Sequence, residues 1–144
     1  MLVTLALLLG LPLALTAEPL TCAPLTTVTF DNATIHGLLG EWIYIAGASR
    51  NPPDLAELKE VKYAAFSFSP GSHKDELNAT EIMRLNETCV ERNTTKILIL
   101  WHNSTLVHVS DQVLSMAELI PSDKDLLIMK HVNANFPSLS LSGE

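Results

Sequence analysis

Short runs of alternating hydrophobic and polar residues follow one another along the chain. The runs are rich in β-branched and aromatic residues, and turn residues separate them about every 8–12 positions, as in antiparallel sandwiches and barrels. One run, 113–120, suits a helix as well as a strand. Together the runs predict an all-β domain of about eight strands, mostly in hairpin succession. The other predicted strands are 41–49, 61–69, 80–87, 95–103, 105–110, 126–132 and 138–142.

A short helix is predicted between the first two strands, over 54–60. Asp54 is its expected N-cap, and Glu57 follows three residues later, which is the spacing of a capping box. The two prolines just before Asp54 interrupt the preceding strand. Turns are expected at 70–72 and 121–125, and the segment before the first strand is expected to be irregular.

The chain begins with an apolar leader. Residues 2–15 are almost wholly apolar and uncharged, and the small residue Ala17 follows, which predicts a secretory signal peptide over 1–17. The run is shorter than the roughly 20 residues of a membrane span, so a retained anchor is the weaker alternative. The remaining length allows one domain, over 18–144, and we expect it to be secreted and extracellular.

Charge and sugar-acceptor triplets fit the same compartment. A net charge of −7 argues against nucleic acid as a partner, because nucleic-acid binding needs a basic face. Five Asn-x-Thr triplets follow the leader, and each glycosylated asparagine must lie on the surface. The predicted glycosylation sites are Asn32, Asn78, Asn86, Asn93 and Asn103.

Sequence motifs of enzymes are missing. The five histidines form no His-x-x-x-His pair, and the chain has no Cys-x-x-Cys pair, Gly-rich phosphate loop or Gly-x-Ser-x-Gly elbow. We therefore expect a protein that is not an enzyme and that has no catalytic residue, no metal ion and no cofactor. Most of the histidines are expected to lie in solvated turns or strands.

Two motifs resemble those of the lipocalins. Gly40 and Trp42 form a Gly-x-Trp triplet at the start of the first predicted strand, and Ser122 and Asp123 match part of a second motif. The resemblance extends over roughly 20–142. It implies an eight-stranded, antiparallel, up-and-down barrel, and such a barrel is wide enough to hold one small ligand and has no exposed strand edge.

The same resemblance implies roles for single residues. Trp42 is expected to close the base of the barrel, and Tyr44 to face the cavity. The helix between the first two strands is expected to overhang the open end, where Leu55 and Leu58 line the entrance. The alternative for both leucines is that they pack on the underside of the helix.

The resemblance also implies that the chain is short at its C-terminus. Lipocalins continue past the eighth strand into a helix and a tail, and we expect this domain to be truncated at the eighth strand. The resemblance pairs the positions of Cys22 and Cys89 with two later cysteines, which are absent here. The two residues are therefore disulfide candidates without their partners, although the even count also allows a Cys22–Cys89 bridge.

Alternation along the strands assigns every second side chain to the interior. The assigned set combines aromatic walls, the adaptable Met83 and a few polar groups, which is typical of a ligand pocket, whereas each apolar member taken singly is better explained by core packing. The predicted ligand-binding residues are Tyr44, Phe66, Phe68, Glu81, Met83, Ile97, Ile99, Leu106, His108, Ser115, Ile128 and Ser140. The other side chains assigned inward are Trp42, Ala46, Ala48, Ala64, Leu85, Ala117, Leu119, Leu126, Lys130 and Ser142.

The most specific binding hypothesis concerns Glu81 and His108. By the resemblance, these positions hold a carboxylate and a basic residue inside the cavity, and the basic residue here is a histidine. Glu81 is expected to attract the amine of a cationic amphiphile. The alternative is an outward, solvated Glu81, because a slip of one residue inverts every side chain of a strand.

Two functions remain open at this point. The first is a plasma carrier of small hydrophobic or cationic molecules, expected to be monomeric, with acute-phase and immune-modulating roles implied by the resemblance. The second is a glycoprotein that acts on cell-surface or immune partners through its glycans, without an obligatory ligand.

Overall fold

The protein is a closed barrel of eight antiparallel strands, each paired with its neighbours in sequence, and the last strand returns to the first. The computed structural model describes residues 21–109, 114–132 and 137–144, so the predicted signal peptide lies outside the described residues. The all-β barrel predicted from the sequence is confirmed. The strands are β1 Gly40–Ser49, β2 Val61–Pro70, β3 Glu76–Leu85, β4 Thr88–Leu100, β5 Thr105–Val109, β6 Leu114–Ile120, β7 Leu126–Val132 and β8 Ser138–Gly143.

Several boundaries differ from the predicted ones. The ambiguous run 113–120 forms strand β6. Strand β3 begins four residues before the predicted start at residue 80, and β4 begins at Thr88, because these two strands pair with each other over nearly their whole lengths. Cross-strand pairing therefore extends both strands beyond the runs that the local pattern marks.

Helix α1 (Asn32–Leu38) occupies the segment that was expected to be irregular. Its N-cap is Asp31, whose Oδ1 accepts hydrogen bonds from the backbone N–H and the hydroxyl of Thr34, both at 2.7 Å. These bonds, the backbone one first, lower the pKa of the Asp31 carboxyl. An Asp-x-x-Thr cap before a seven-residue helix was the signal available in the sequence.

Helix α2 (Pro52–Glu60) is the helix predicted between the first two strands, but its start was predicted wrongly. The N-cap position is Asn51, and a proline follows at the first helical position, where its fixed φ suits a helix start. Asp54 lies one turn further in, and its carboxylate accepts a hydrogen bond from the Ser49 hydroxyl at 3.1 Å. Asp54 thus ties α2 to the end of β1.

The closed end of the barrel is filled by a hydrophobic core beneath α1. Trp42 is only 2% exposed, and its indole Nε1 donates to the carbonyl oxygen of Leu38 at 2.9 Å. Gly40 makes the corner between α1 and β1 with a φ of +118°, a conformation open to glycine and disfavoured for other residues. The buried cluster consists of Phe30, Ile35, Leu38, Trp42, Phe68, Leu77, Ile99, Leu106, Leu119 and Leu127.

A β-bulge in β1 changes which side chains point inward. Tyr44 is opposite Ser142 of β8, but the register shifts after Tyr44, so that Gly47 is opposite Ser140. Gly47 therefore follows Tyr44 on the inner face, whereas Ala46 and Ala48 are exposed outside the cavity. The inward assignment of these two alanines was wrong, because a bulge inserts one residue and inverts the alternation beyond it.

Strand β7 has the opposite phase to the one predicted. Leu127 is opposite the inward Ser142, and Met129 is opposite the inward Ser140, so residues 127, 129 and 131 face the interior. The inward assignment of Leu126, Ile128 and Lys130 was therefore wrong. The stretch 126–132 is apolar at most positions, so its own pattern shows no alternation and only pairing with β8 fixes its phase.

Candidate functional site

The barrel encloses a cavity of about 390 Å³ between its core and helix α2. Ten of the twelve predicted ligand-binding residues line it: Tyr44, Phe66, Phe68, Glu81, Met83, Ile97, Leu106, His108, Ser115 and Ser140. Ile99 belongs instead to the buried core at the closed end, where it is 3% exposed. Ile128 lies on the outer face of β7, and Met129 lines the cavity in its place.

Strands β2 to β4 supply the apolar wall of the cavity. Phe66 and Phe68 lie two residues apart on β2, and their rings meet edge to face with centroids 5.4 Å apart. Edge-to-face packing is one of the two arrangements that aromatic pairs favour. Met83 and Ile97 continue the wall on β3 and β4.

Glu81 places a carboxylate in this otherwise apolar wall. Its side chain is 35% exposed, and its Oε2 lies 3.9 Å from a terminal nitrogen of Arg92, which is 67% exposed. An ion pair this long and this solvated is weak. The β3–β4 register shifts between Ala79 and Glu81, and Thr80 and Glu81 both line the cavity as well as a smaller outer groove. The carboxylate is therefore available to a ligand.

Strands β5 to β8 and β1 supply a polar wall. His108 lines it from β5, as predicted, with Ser115 directly opposite on β6. His131 lines it from β7, and its Nε2 lies 2.8 Å from the Ser140 hydroxyl. Burial lowers the pKa of His131, which favours the neutral imidazole.

His131 was missed by the sequence analysis, which expected most histidines to be solvated. His36, His73 and His102 are indeed exposed. His131 lies on the same face of β7 as Leu127 and Met129. A correct assignment of the inward-facing residues of β7 would therefore have included it.

Helix α2 forms the rim of the cavity. Leu58 lines the entrance as predicted, and it packs over Gly47 of β1. Leu55 is 37% exposed and does not line the cavity. Glu57, one position before Leu58, lines the rim and adds a second carboxylate that the sequence analysis did not assign.

The predicted glycosylation sites lie on α1, β3, β4 and the turns beside them. Asn32, Asn86, Asn93 and Asn103 are exposed, whereas Asn78 is half-buried and its side-chain amide donates to the carbonyl oxygen of Pro70 at 3.3 Å. Cys22 and Cys89 are both exposed, and neither forms a disulfide. Their thiols are therefore free in this chain.

Within residues 21–109, 114–132 and 137–144, no helix is long and apolar enough to cross a membrane. In the same ranges, no three His, Cys, Asp or Glu side chains come together as a metal site.

Known proteins resemble this chain in sequence and in fold. No protein-family model matches the sequence. The chain is 34% identical over 144 residues to an alpha-1-acid glycoprotein of Bos taurus and 32% identical over 102 residues to one of Oryctolagus cuniculus. These matches cover 96% and 71% of this chain, but the chain spans only 65% and 50% of those two relatives.

Two solved structures share the barrel. The siderocalin Ex-FABP has a TM-score of 0.61 and 18% identity, over 74% of this chain and 73% of its own. An odorant-binding protein has a TM-score of 0.60 and 14% identity, over 76% of this chain and 72% of its own. At such identities the two structures establish the fold alone. The relationship of this chain to known proteins rests on the two sequence matches. The chain is a relative of the alpha-1-acid glycoproteins, and its fold is the all-β lipocalin barrel.

Proposed function

We propose that this protein is a secreted plasma carrier that binds small lipophilic or basic molecules in its barrel cavity. The observation that carries the proposal is the cavity of about 390 Å³ with an aromatic wall and one weakly paired carboxylate. Its size falls within the range of about 300–1,000 Å³ that is typical of small-molecule sites. The protein acts as a monomer, without catalysis and without a cofactor.

The apolar wall and the two carboxylates bind different parts of the ligand. Burying the apolar body of a ligand against Phe66, Phe68 and Met83 contributes about 25 cal/mol for each Å² removed from water. Glu81 attracts the ligand's amine, and Glu57 at the rim together with the net charge of −7 draws cations toward the entrance. The site therefore favours a basic amphiphile over a neutral molecule of the same shape.

Substitution of Glu81 tests this proposal. Calorimetry would measure the affinity of 4-phenylbutylamine and of its neutral counterpart 4-phenylbutan-1-ol. In Glu81→Gln, affinity for the amine should fall by about threefold to fivefold, the effect of losing a partly solvated ion pair of about 0.6–1 kcal/mol, while affinity for the alcohol stays nearly constant. Glu87→Gln, on the exposed β3–β4 turn, removes the same charge outside the cavity and serves as the control.

Two results would count against the carrier. Equal losses of affinity for the amine and the alcohol in Glu81→Gln would show that the carboxylate does not bind the amine. If the unsubstituted protein bound neither probe, the proposed carrier function itself would be refuted.

A second candidate function is a glycan-mediated interaction with cell-surface or immune partners, without an obligatory ligand. The acute-phase and immune-modulating roles implied by the resemblance belong to the carrier. Four of the five acceptor asparagines are exposed, which favours it. Enzymatic removal of the glycans separates the two candidates. A carrier keeps its affinity for 4-phenylbutylamine after deglycosylation, whereas a glycan-dependent protein loses its binding to immune cells.

A further inference from the structure

A continuous strip of polar side chains runs across β7, β8 and β1 on the inner wall. The Ser140 hydroxyl meets His131 Nε2 at 2.8 Å, and Ser142 follows on the same face of β8. Ser142 is directly opposite Tyr44. The Tyr44 hydroxyl lies over Gly47, 2.6 Å from where a Cβ of that residue would be, and Gly47 is opposite Ser140. We call Tyr44, His131, Ser140 and Ser142 the polar strip.

The polar strip contains a buried hydroxyl that is not hydrogen-bonded. Ser142 is 1% exposed, and its Oγ has no hydrogen-bond partner among the residues that the structure describes. The Nε2 of His108 is the other buried side-chain polar atom in this condition within the described ranges. Both residues line the same cavity. Native proteins pair nearly all their buried polar groups, so the coincidence of both exceptions with one cavity indicates partners supplied by a ligand.

The polar strip is also uncharged. Burial lowers the pKa of His131 and raises the pKa of Tyr44, so both groups are neutral near pH 7. Hydroxyl and imidazole groups can both donate and accept hydrogen bonds. An uncharged hydroxyl, phenol or carbonyl suits such a wall, whereas a carboxylate would be buried there without a countercharge, which is costly.

We propose that the polar strip, together with His108, is a second subsite that takes an uncharged hydrogen-bonding group of the ligand, while the amine of the same ligand meets Glu81. The inference rests on the proposed function, because the ligand must first enter the cavity. It names the ligand class more narrowly, as amphiphiles that carry a basic amine at one end and a hydroxyl, phenol or carbonyl at the other.

Calorimetry with three matched amines tests the subsite. The probes are 4-phenylbutylamine, its analogue with a para-hydroxyl on the ring, and its analogue with a para-carboxylate. The phenol should bind about threefold to tenfold more tightly than the parent amine, which is the effect of one net hydrogen bond. The carboxylate should bind more weakly than the phenol, because its charge has no countercharge in the polar strip.

Ser142→Ala isolates the unpaired hydroxyl. In this variant the phenol should lose most of its advantage over 4-phenylbutylamine. Its thermal midpoint should be unchanged or higher, because the substitution removes a buried group without a partner. The control is Ser69→Ala, which changes an exposed serine near the C-terminal end of β2. It should change neither the affinities nor their ratio. A double variant, Ser142→Ala with His108→Leu, removes both unpaired groups and should abolish the phenol's advantage.

The outcomes separate this inference from the proposed function. If the unsubstituted protein binds neither the parent amine nor the phenol, the carrier function fails and the subsite with it. If it binds both amines equally well, the carrier stands and the subsite is refuted. The subsite is likewise refuted if the double variant, shown to be folded by circular dichroism, still prefers the phenol as strongly as the unsubstituted protein does.

Discussion

Replacement of Trp42 by phenylalanine perturbs the floor of the barrel at a single, well-defined contact. Trp42 is 2% exposed, and its Nε1 donates to the carbonyl oxygen of Leu38 at the end of α1. Trp42→Phe removes this donor, and a buried acceptor that loses its partner costs about 1–3 kcal/mol. The space left by the smaller ring adds about 1 kcal/mol, as in other losses of buried apolar atoms.

The summed loss of about 2–4 kcal/mol is a large share of the roughly 5–15 kcal/mol that stabilises a domain. Urea unfolding followed by far-UV circular dichroism measures it. Trp101→Phe is the matched control, because the Trp101 indole also donates a hydrogen bond, to Asp75 Oδ1 at 2.7 Å, but at an exposed site. Water replaces that bond, so the control should lose less than about 1 kcal/mol.

Comparison of the two tryptophan substitutions separates the effect of burial from that of the hydrogen bond alone. Equal losses of stability in Trp42→Phe and Trp101→Phe would refute the claim that burial, and not the hydrogen bond alone, sets the cost. A loss below about 1 kcal/mol in Trp42→Phe would show that α1 does not depend on the indole contact.

Two further predictions concern the backbone and the pH dependence of stability. Gly40→Ala should destabilise the fold by about 1–3 kcal/mol through its positive φ, whereas Gly37→Ala in α1, where a Cβ also meets open space, should not destabilise it; denaturant unfolding compares the two. The hydrogen bond from the Ser72 hydroxyl, followed by the contact with Lys96, lowers the pKa of Glu76 below its ordinary 4.5. Its contribution to stability is therefore present above pH 4.5 and lost as the pH falls through the folded-state pKa. The thermal midpoint of the unsubstituted protein should exceed that of Glu76→Gln at pH 7, and this gap should close in acid; a gap independent of pH would contradict the prediction.

Some of the candidate site could be read from the sequence because its strands alternate clearly. On β2, Phe66 and Phe68 are separated by a serine, so the period of two identified the apolar wall before any fold was known. The same period placed Glu81 and Met83 on the inner face of β3. The Gly-x-Trp triplet marked the closed end only through the resemblance to the lipocalins, and the structure places Gly40 at the corner and Trp42 in the base.

Other parts of the site depend on pairing between distant strands. The bulge after Tyr44 is invisible in the sequence of β1, yet it turns Ala46 and Ala48 outward and brings Gly47 under the Tyr44 hydroxyl. The phase of β7 is set by its register with β8, and that register brings His131 to Ser140. Local alternation carries no information about either feature.

The sequence by itself therefore determined the class of fold, the number of strands and the apolar wall, because these follow from local periodicity and turn residues. Only the tertiary structure decided that His131 joins the polar wall and that Ala46 and Ala48 point outward. A strand that is apolar on both faces has no phase of its own, and a bulge takes its position from the neighbouring strand. The side chains of the polar strip are brought together because β8 pairs with both β7 and β1.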